Sequence, residues 1–466
     1  MLTSMTKTFR PYDPDQQLLF PPSLQDWVPE DHLARFVSDV VDTLDLGDIY
    51  ASYDAKDPRG TRPYHPAMLV KVLLYGYCIG VTSSRRIERA TYDDVAFRFL
   101  SADQHPDHDS IAEFRKRHLT ALSGLFLQVL RLCQKAGLVK LGHVALDGTK
   151  VKANASKHKA MSYDRMLKSE QALKDEIQGL LKEAERTDGT EDAKYGKGKR
   201  GDELPDELSR RESRLRKIQE AKAALEQEAK EKAERRAEKA RAGNAEREKK
   251  RGTPEGRRLG APYKEPDPEK AVPEPKAQRN FTDPDSRIML DGATKGFIQA
   301  YNAQAAVDGA HQIIVAADVT QQAPDSGQLI PMLTLLAQNT GLLPEKLSAD
   351  AGYFSEANLT DPRFAGVEMF IPPQQHEDDP NKPRRRAKPK SQAAVTMREK
   401  LAADAGKAVY RMRKAIAEPV FGQTKETRGF RRFMFRGLER VKAEWSLICL
   451  GHNLLKLFRS HAMALA

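Results

Sequence analysis

Three acidic residues stand where chemistry could use them. Asp147 closes the apolar run Val144-Ala145-Leu146 and is followed by Gly148. Asp350 closes Leu347-Ser348-Ala349, with Gly352 close behind. Glu418 lies among cations in Tyr410-Arg411-Met412-Arg413-Lys414-Ala415-Ile416-Ala417-Glu418-Pro419-Val420-Phe421-Gly422-Gln423-Thr424-Lys425. A carboxylate at the end of an apolar strand is costly to bury unless it is paired or metal-bound. Taken singly, each aspartate is best read as a strand-end turn residue. Three carboxylates around one point repel unless divalent cations lie among them, and hard oxygen ligands suit Mg²⁺ or Mn²⁺. Two such ions can activate a nucleophilic oxygen and stabilise the leaving oxygen of a phosphodiester.

The elements that would position these groups follow from the patterning. Leu141 to Lys152 reads as a strand, and Gly148 permits close approach of a backbone or ligand. Gly296 to Val307 and His311 to Val319 read as a hairpin turning at Asp308-Gly309. A helix carrying Leu329, Met332, Leu333 and Leu336 follows, capped by Asp325-Ser326. Then come the strand ending in Asp350, a helix from Ser355, a strand at Val367 to Ile371, and the helix with Glu418. Three meandering strands and a crossover helix can lay the fourth strand beside the first. Asp147 and Asp350 then become neighbours, and a helix crossing that end adds Glu418. Lys425, seven positions on, shares Glu418's helical face. Pro419 fits only near the start of that helix or at a bend. Asp308 and Asp325 read as turn and cap residues. Asp318 competes with Asp350, but Val-Thr rather than Gly follows it. The last helix, Leu438 to Phe458, reads as core, Trp445 included.

Before the first aspartate the pattern is helical. Leu33, Phe36, Val37, Val40, Val41 and Leu44 recur at helical steps, and Pro66 opens a second apolar helix. Thr82-Ser83-Ser84 makes a turn before a helix with Arg85, Arg86 and Arg89. Ser110 and Glu113 have capping-box spacing, and Arg115 follows. Short helices with a basic face resemble a helix-turn-helix DNA reader; an ordinary bundle with a solvated basic face is the plain alternative. His105, His108 and His118 match no zinc spacing and read as surface histidines. Residues 157–279 are densely charged, with both signs mixed. Leu173, Ile177, Leu180 and Leu181, then Leu208, Leu215, Ile218 and Leu225, give two sparse apolar stripes. Ala-rich turns after them have almost nothing to bury. A solvated helical hairpin, coiled-coil-like, is expected, joined by a Gly/Lys link near Tyr195 to Gly201 and left through a Pro-rich linker from Pro262 to Pro275. Two further basic runs are Lys382 to Lys390 and Arg428, Arg431, Arg432 and Arg436.

Lys and Arg total 77 against 66 Asp and Glu, a net charge of +11 with a pI near 9.3. That excess suggests a polyanionic partner, most simply nucleic acid. Cys78, Cys133 and Cys449 are far apart in apolar runs, which fits a reducing compartment. No secretory core and no apolar run of ~18 residues is present. The expectation is a soluble, cytoplasmic, nucleoid-associated protein with no membrane partner.

With these stretches in view, the sequence resembles bacterial insertion-sequence transposases of the DDE type. The resemblance rests on Arg62-Pro63-Tyr64-His65-Pro66 through Phe114-Arg115-Lys116-Arg117, on Ala145-Leu146-Asp147-Gly148-Thr149-Lys150, and on Ser348-Ala349-Asp350-Ala351-Gly352-Tyr353. It is strongest in Glu418-Pro419-Val420-Phe421-Gly422-Gln423 with Arg428-Gly429. It implies an α/β, ribonuclease H-like mixed five-stranded sheet with flanking helices, split between 139–156 and 280–466. An all-α domain, 1–138, precedes it, and the charged insertion, 157–279, interrupts it. It further implies that Asp147, Asp350 and Glu418 are catalytic and bind Mg²⁺ or Mn²⁺, two ions in all. Tyr410, Arg413 and Lys425 would complete a Tyr-Arg-Glu-Lys signature holding DNA, with Arg428, Arg431, Arg85, Arg86 and Arg115 as further DNA contacts. In the family's common pattern the Arg stands four residues before the Glu; that position here is Lys414, and Arg413 is five before. The implied activity is cleavage of element ends and joining of the 3′-hydroxyl to target, on double-stranded DNA, by a homodimer or higher oligomer. Competing readings are a catalytically inactive DNA-binding relative and an assembly protein acting through 157–279.

Overall fold

The computed structural model describes residues 23–54, 62–195, 206–249, 251, 261–292, 294–373 and 391–465. The Gly/Lys link beyond Tyr195 and the basic run Lys382 to Lys390 lie outside the described residues. The chain divides into two compact units, 1–129 with 453–466, and 130–452. The first division falls within a helix, nine residues before the boundary at 138 expected from the sequence.

The first unit is helical: α1 (Leu24–Trp27), α2 (Leu33–Thr43), α3 (Gly47–Asp54), α4 (Pro66–Ile79), α5 (Ser84–Asp93), α6 (Val95–Leu100), α7 (His108–Arg117) and the start of α8 (Leu119–Lys135). Pro66 opens α4, where its missing N–H costs nothing, and Gly80 ends it in the left-handed conformation, φ 81°. After a three-residue turn α5 leaves at 100° to α4. Gly76 makes this corner possible, because a Cβ there would lie 2.4 Å from the Val81 carbonyl oxygen. Ile87 and Thr91 bury one face of α5, while Arg85, Arg86, Arg89 and Tyr92 line the exposed one. The capping box expected at Ser110 is not formed. Asp107 is the N-cap instead, accepting from Ser110 N (2.8 Å) and Oγ (2.9 Å). His108 and His105 are both half-exposed, His108 on Glu88 at 2.8 Å and His105 on Thr91 Oγ1 at 3.3 Å while stacking on Tyr92; His118 is buried against Tyr53.

The second unit holds β1 (His143–Lys152), β2 (Ala160–Ser162), α9 (Tyr163–Tyr195), α10 (Asp206–Lys249), β3 (Gln278–Asn280), β4 (Arg287–Leu290), β5 (Phe297–Asp308), β6 (Ile314–Thr320), α11 (Leu329–Thr340), β7 (Lys346–Ala349), α12 (Glu356–Leu359), β8 (Glu368–Phe370), α13 (Gln392–Ala402), α14 (Asp404–Gly422) and most of α15 (Leu438–Leu465). β1, β5 and β6 form the antiparallel meander, with Asp147 opposite Ala305. α11 crosses back so that β7 pairs parallel to β1, Leu146 opposite Ala349, and β8 pairs parallel to β7. The sheet is mixed and flanked by helices, as expected, but it has six strands rather than five. The extra one, β4, is a four-residue strand on the start of β5. So short a run, Arg-Ile-Met-Leu, carries no alternation to announce it. No single described helix is long and apolar enough to cross a membrane.

In the insertion, α9 and α10 bury Met166, Leu173, Ile218 and Leu225 around Tyr163. Glu170 lies within that seam between Lys174 and Lys222, both at 2.8 Å, and these hydrogen bonds hold its carboxyl down at about 2. The Ala-rich turns do have something to bury against. Ala233, Ala237 and Ala240 are covered, and Asn244 binds the Tyr263 backbone in both directions (3.0 and 2.8 Å). Arg247 stacks over the Tyr263 ring at 4.1 Å. The Pro-rich stretch is therefore a strap along α10 rather than a free linker.

The α4–α5 corner yields a stability test. Gly76→Ala gains helix propensity but drives a Cβ into the Val81 backbone, so we expect a net loss of about 2 kcal/mol, read as a lower thermal midpoint. A raised midpoint would contradict this packing.

Candidate active site

The pairing of β1 with β7 assembles the centre. Val144, Ala145 and Leu146 are buried, as are Leu347, Ser348 and Ala349, and the next residue on each strand is an aspartate. Asp147 Oδ1 accepts from Gly148 N (2.9 Å), and Asp350 Oδ1 accepts from Gly352 N (2.8 Å), capping a single turn. Burial pushes the Asp147 carboxyl up to about 6, against the pull of Arg413; the Asp350 and Asp325 charges add to the rise. Burial likewise raises Asp350, with Asp325 adding.

Asp325 is thus part of the cluster, and its reading as a helix cap is corrected. α11 has no side-chain cap, and the Asp325 carboxylate turns inward. It accepts from Asn302 Nδ2 (2.6 Å) and Gln304 Nε2 (2.8 Å), and Lys150 Nζ lies 3.6 Å away. Gly148 leaves space for this group: a Cβ there would meet Gln304 Nε2 at 2.4 Å and Asp325 Oδ1 at 2.9 Å. A signal was present in the sequence. Asn302 and Gln304 are amides in a strand otherwise rich in buried small and apolar residues, and buried amides require partners. Asp308 is a turn residue as expected, accepting from Leu141 N and Ala310 N. Asp318 pairs with Lys442 instead (3.3 Å).

α14 brings the signature residues across this end of the sheet. Arg413 Nη1 donates to Asp147 Oδ2 at 3.2 Å, and its guanidinium lies 5.9 Å from the Tyr410 ring centre. Lys414 points to solvent. The arginine that reaches Asp147 is therefore Arg413, five residues before the glutamate. Glu418 is on the rim, its side chain 55% exposed, with Oε1 4.0 Å from Arg413 Nη2. Asp147 and Asp350 are brought together, and Glu418 joins them only through Arg413. Among the described residues no three acidic, histidine or cysteine side chains stand as a ready metal cage. The donor chemistry still fits a hard divalent cation: two crowded carboxylates resist ionisation, and Asn302 Oδ1 is a buried acceptor with no donor.

The remaining basic residues divide clearly. Pro419 is tolerated inside α14, which passes directly into a π-helical turn, Gln423–Thr427. From that turn Lys425 Nζ donates to the Lys150 carbonyl (2.9 Å), and burial lowers its pKa. Arg428 is only 6% exposed and donates to the Ile448 carbonyl (3.0 Å) and Thr424 Oγ1 (2.9 Å). Arg115, also 6% exposed, donates to the Thr82 carbonyl (2.7 Å) and pins the α4–α5 corner. Neither side chain is free to meet a phosphate, so their assignment as DNA contacts is corrected to structural roles. Arg431 is exposed but paired with Glu426. Arg85 and Arg86 are exposed. Trp445 is core, donating to the Gln304 carbonyl at 3.0 Å.

A pH dependence follows from Asp147. Its folded pKa lies above the ordinary value, so the folded chain binds the proton more tightly. The stabilisation is complete below about pH 4 and is lost as pH rises through about 6. Relative to wild type, Asp147→Asn should gain up to about 3 kcal/mol between pH 4 and 7. Urea unfolding at both pH values measures this; a pH-independent difference would refute the burial argument.

Two family models match the chain, one toward each end. A transposase domain (DUF772) matches residues 22–117, and a transposase DDE domain matches residues 376–458, which include Tyr410, Arg413, Glu418 and Lys425. No curated protein and no solved structure gives a match. DDE transposases in general use divalent metal ions. The transposase domain and the DDE domain together support an insertion-sequence transposase of the DDE type.

Proposed function

We propose that the protein cuts DNA at the ends of its element and joins the freed 3′-hydroxyl to target DNA, through a ribonuclease H-like domain formed by 139–156 and 280–466. The observation that carries this reading is the side-by-side placement of Asp147 and Asp350 at the ends of adjacent parallel strands, with α14 crossing them. Asp147, Asp350 and Glu418 would hold one or two Mg²⁺ or Mn²⁺ ions. Bound there, the ions supply Lewis acidity and an activated oxygen nucleophile. Arg413 holds Asp147 and Glu418 on either side of its guanidinium, and that planar fork suits a phosphate equally well. Tyr410 lies beside Arg413 and helps to hold its guanidinium. Lys425 ties the turn after α14 to β1 and sets the helix against the carboxylates.

Asp325 supports a second arrangement of the same chemistry. It already lies beside Asp147 and Asp350, whereas Glu418 is more than half exposed. In that arrangement Asp325 supplies the third carboxylate and Glu418 faces the DNA. A duplex bearing the gene's flanking sequence, labelled at the element end and incubated with Mg²⁺, separates the two. Asp147→Asn and Asp350→Asn should each lower cleavage on the order of 10²–10³-fold, as losing one charge-stabilising group does. Cleavage at the wild-type rate by either variant would sink the proposal. Whether Glu418→Gln or Asp325→Asn matches that loss decides the third member.

The helical unit supplies DNA binding in this reading. The α4–turn–α5 corner has helix-turn-helix geometry, and α5 presents Arg85, Arg86 and Arg89 on one exposed stripe. A chain bound to two element ends would act as a dimer or larger assembly. Arg86→Ala should weaken binding of the end duplex by about 1–3 kcal/mol in anisotropy titrations, with less effect on an unrelated duplex. Equal loss on both duplexes would reduce α5 to a phosphate contact.

A further inference from the structure

β1 continues five residues beyond Asp147 into a groove of about 510 Å³. Its walls are the end of β1, the loop 153–159 at the root of the charged arm, the start of β5, and the segment before α15. Five cations line it: Lys152, Lys157, Lys159, Arg432 and Arg436. No acidic residue does. All five are exposed, and none makes an ion pair among the described residues. This differs from neighbouring Arg431, which Glu426 neutralises, and from the arm, where Arg211, Arg241 and Lys230 all have acidic partners.

The groove is also rigidly built. Lys152 N donates to the Arg431 carbonyl (3.2 Å), and Phe433 N donates to the Lys152 carbonyl (2.9 Å), zipping the end of β1 to the segment before α15. Arg436 Nε donates to the Asn154 carbonyl (2.9 Å), and Asn154 Nδ2 donates to the Met434 carbonyl (2.6 Å). Asn280 Nδ2 holds the Ser156 carbonyl at 2.8 Å. At the mouth stands Phe297, 65% exposed, so its ring face is open to a ligand in the groove.

We propose that this groove binds one strand of DNA, with phosphates on the five cations and an unpaired base stacked on Phe297. The inference rests on the nuclease reading above and extends it to a substrate feature, a locally unpaired strand leading away from the cut. Unpaired cations along a groove attract a phosphodiester backbone, and an exposed aromatic face accepts any base without regard to sequence. A lone phosphate would use two or three of the cations and leave Phe297 idle. The five residues from Asp147 to Lys152 span about 17 Å of extended strand, so one DNA strand can reach both places.

The test uses the full chain and a fluorescein-labelled 20-nucleotide single strand, with its duplex as comparison, in anisotropy titrations at several salt concentrations. Phe297→Ala should weaken single-strand binding roughly tenfold without changing the salt slope, and should affect the duplex less. Lys157→Ala with Lys159→Ala should weaken binding and make the slope shallower by about 0.7 for each phosphate that is no longer neutralised. Lys140→Ala, an exposed lysine outside the groove, is the control. Wild-type single-strand affinity in the Phe297 and lysine variants, or weakening no larger than the control's, would overturn the proposal. Asp147→Asn keeps the groove, so it should bind the single strand normally while failing to cleave. If it cleaves, the nuclease reading fails while the groove's binding data stand on their own.

Discussion

Everything at the candidate centre depends on one short parallel pairing, Leu146 opposite Ala349. Parallel ladders need a crossover connection, and the helix α11 provides it between the meander and β7. The register matters more than the topology. A slip of one residue along either strand would turn an aspartate to the other face of the sheet. The buried triplets Val144-Ala145-Leu146 and Leu347-Ser348-Ala349 resist such a slip, because it would expose apolar side chains and bury the carboxylates elsewhere. The apolar runs thus hold in place the charges that end them.

Those charges are expensive to hold together. Burial raises both Asp147 and Asp350, and the surrounding protein answers with Arg413 on Asp147 and Lys150 beside Asp325. Arg413 suits the place because its fork can serve two acceptors, Asp147 directly and Glu418 more loosely. A lysine ammonium would offer a point charge to one of them. Lys414 lies one residue along, about 100° around the helix, and faces solvent. The spacing that looked irregular in the sequence is therefore a statement about which helix face meets β1.

Much of this arrangement was legible in the sequence, for identifiable reasons. The two aspartates were visible because each ends an apolar run with a glycine close by, and their adjacency followed from the order of strands and crossover. β4 was not visible, being too short to show a period. Arg115 and Arg428 were misjudged because a basic cluster in sequence does not tell which guanidinium turns inward to cap backbone carbonyls; only the fold shows Thr82 and Ile448 waiting for them. The strap along α10 was missed because it is held by polar and charged side chains such as Asn244 and Arg247 and by a glycine, which carry little hydrophobic signal. Gly243 matters here for its lack of a Cβ, since the Tyr263 ring packs 2.8 Å from where one would be.

Asp325 shows how polar patterning can carry more than hydrophobic patterning. β5 is buried along nearly its whole length, so each polar residue on it must find a partner inside the protein. Asn302 and Gln304 both find Asp325, and Tyr353 closes the circuit by donating to Gln304 Oε1. Gly148 and Gly352 leave the space in which this network touches the aspartates. These side chains and glycines come from separate segments of the chain, and no local rule links them. What links them is that a buried acid needs donors, buried amides need acceptors, and the carboxylates of β1 and β7 need a neighbour whose position is fixed. A network satisfied on all sides but one, with Asn302 Oδ1 left without a donor, leaves its remaining capacity facing the site rather than the core.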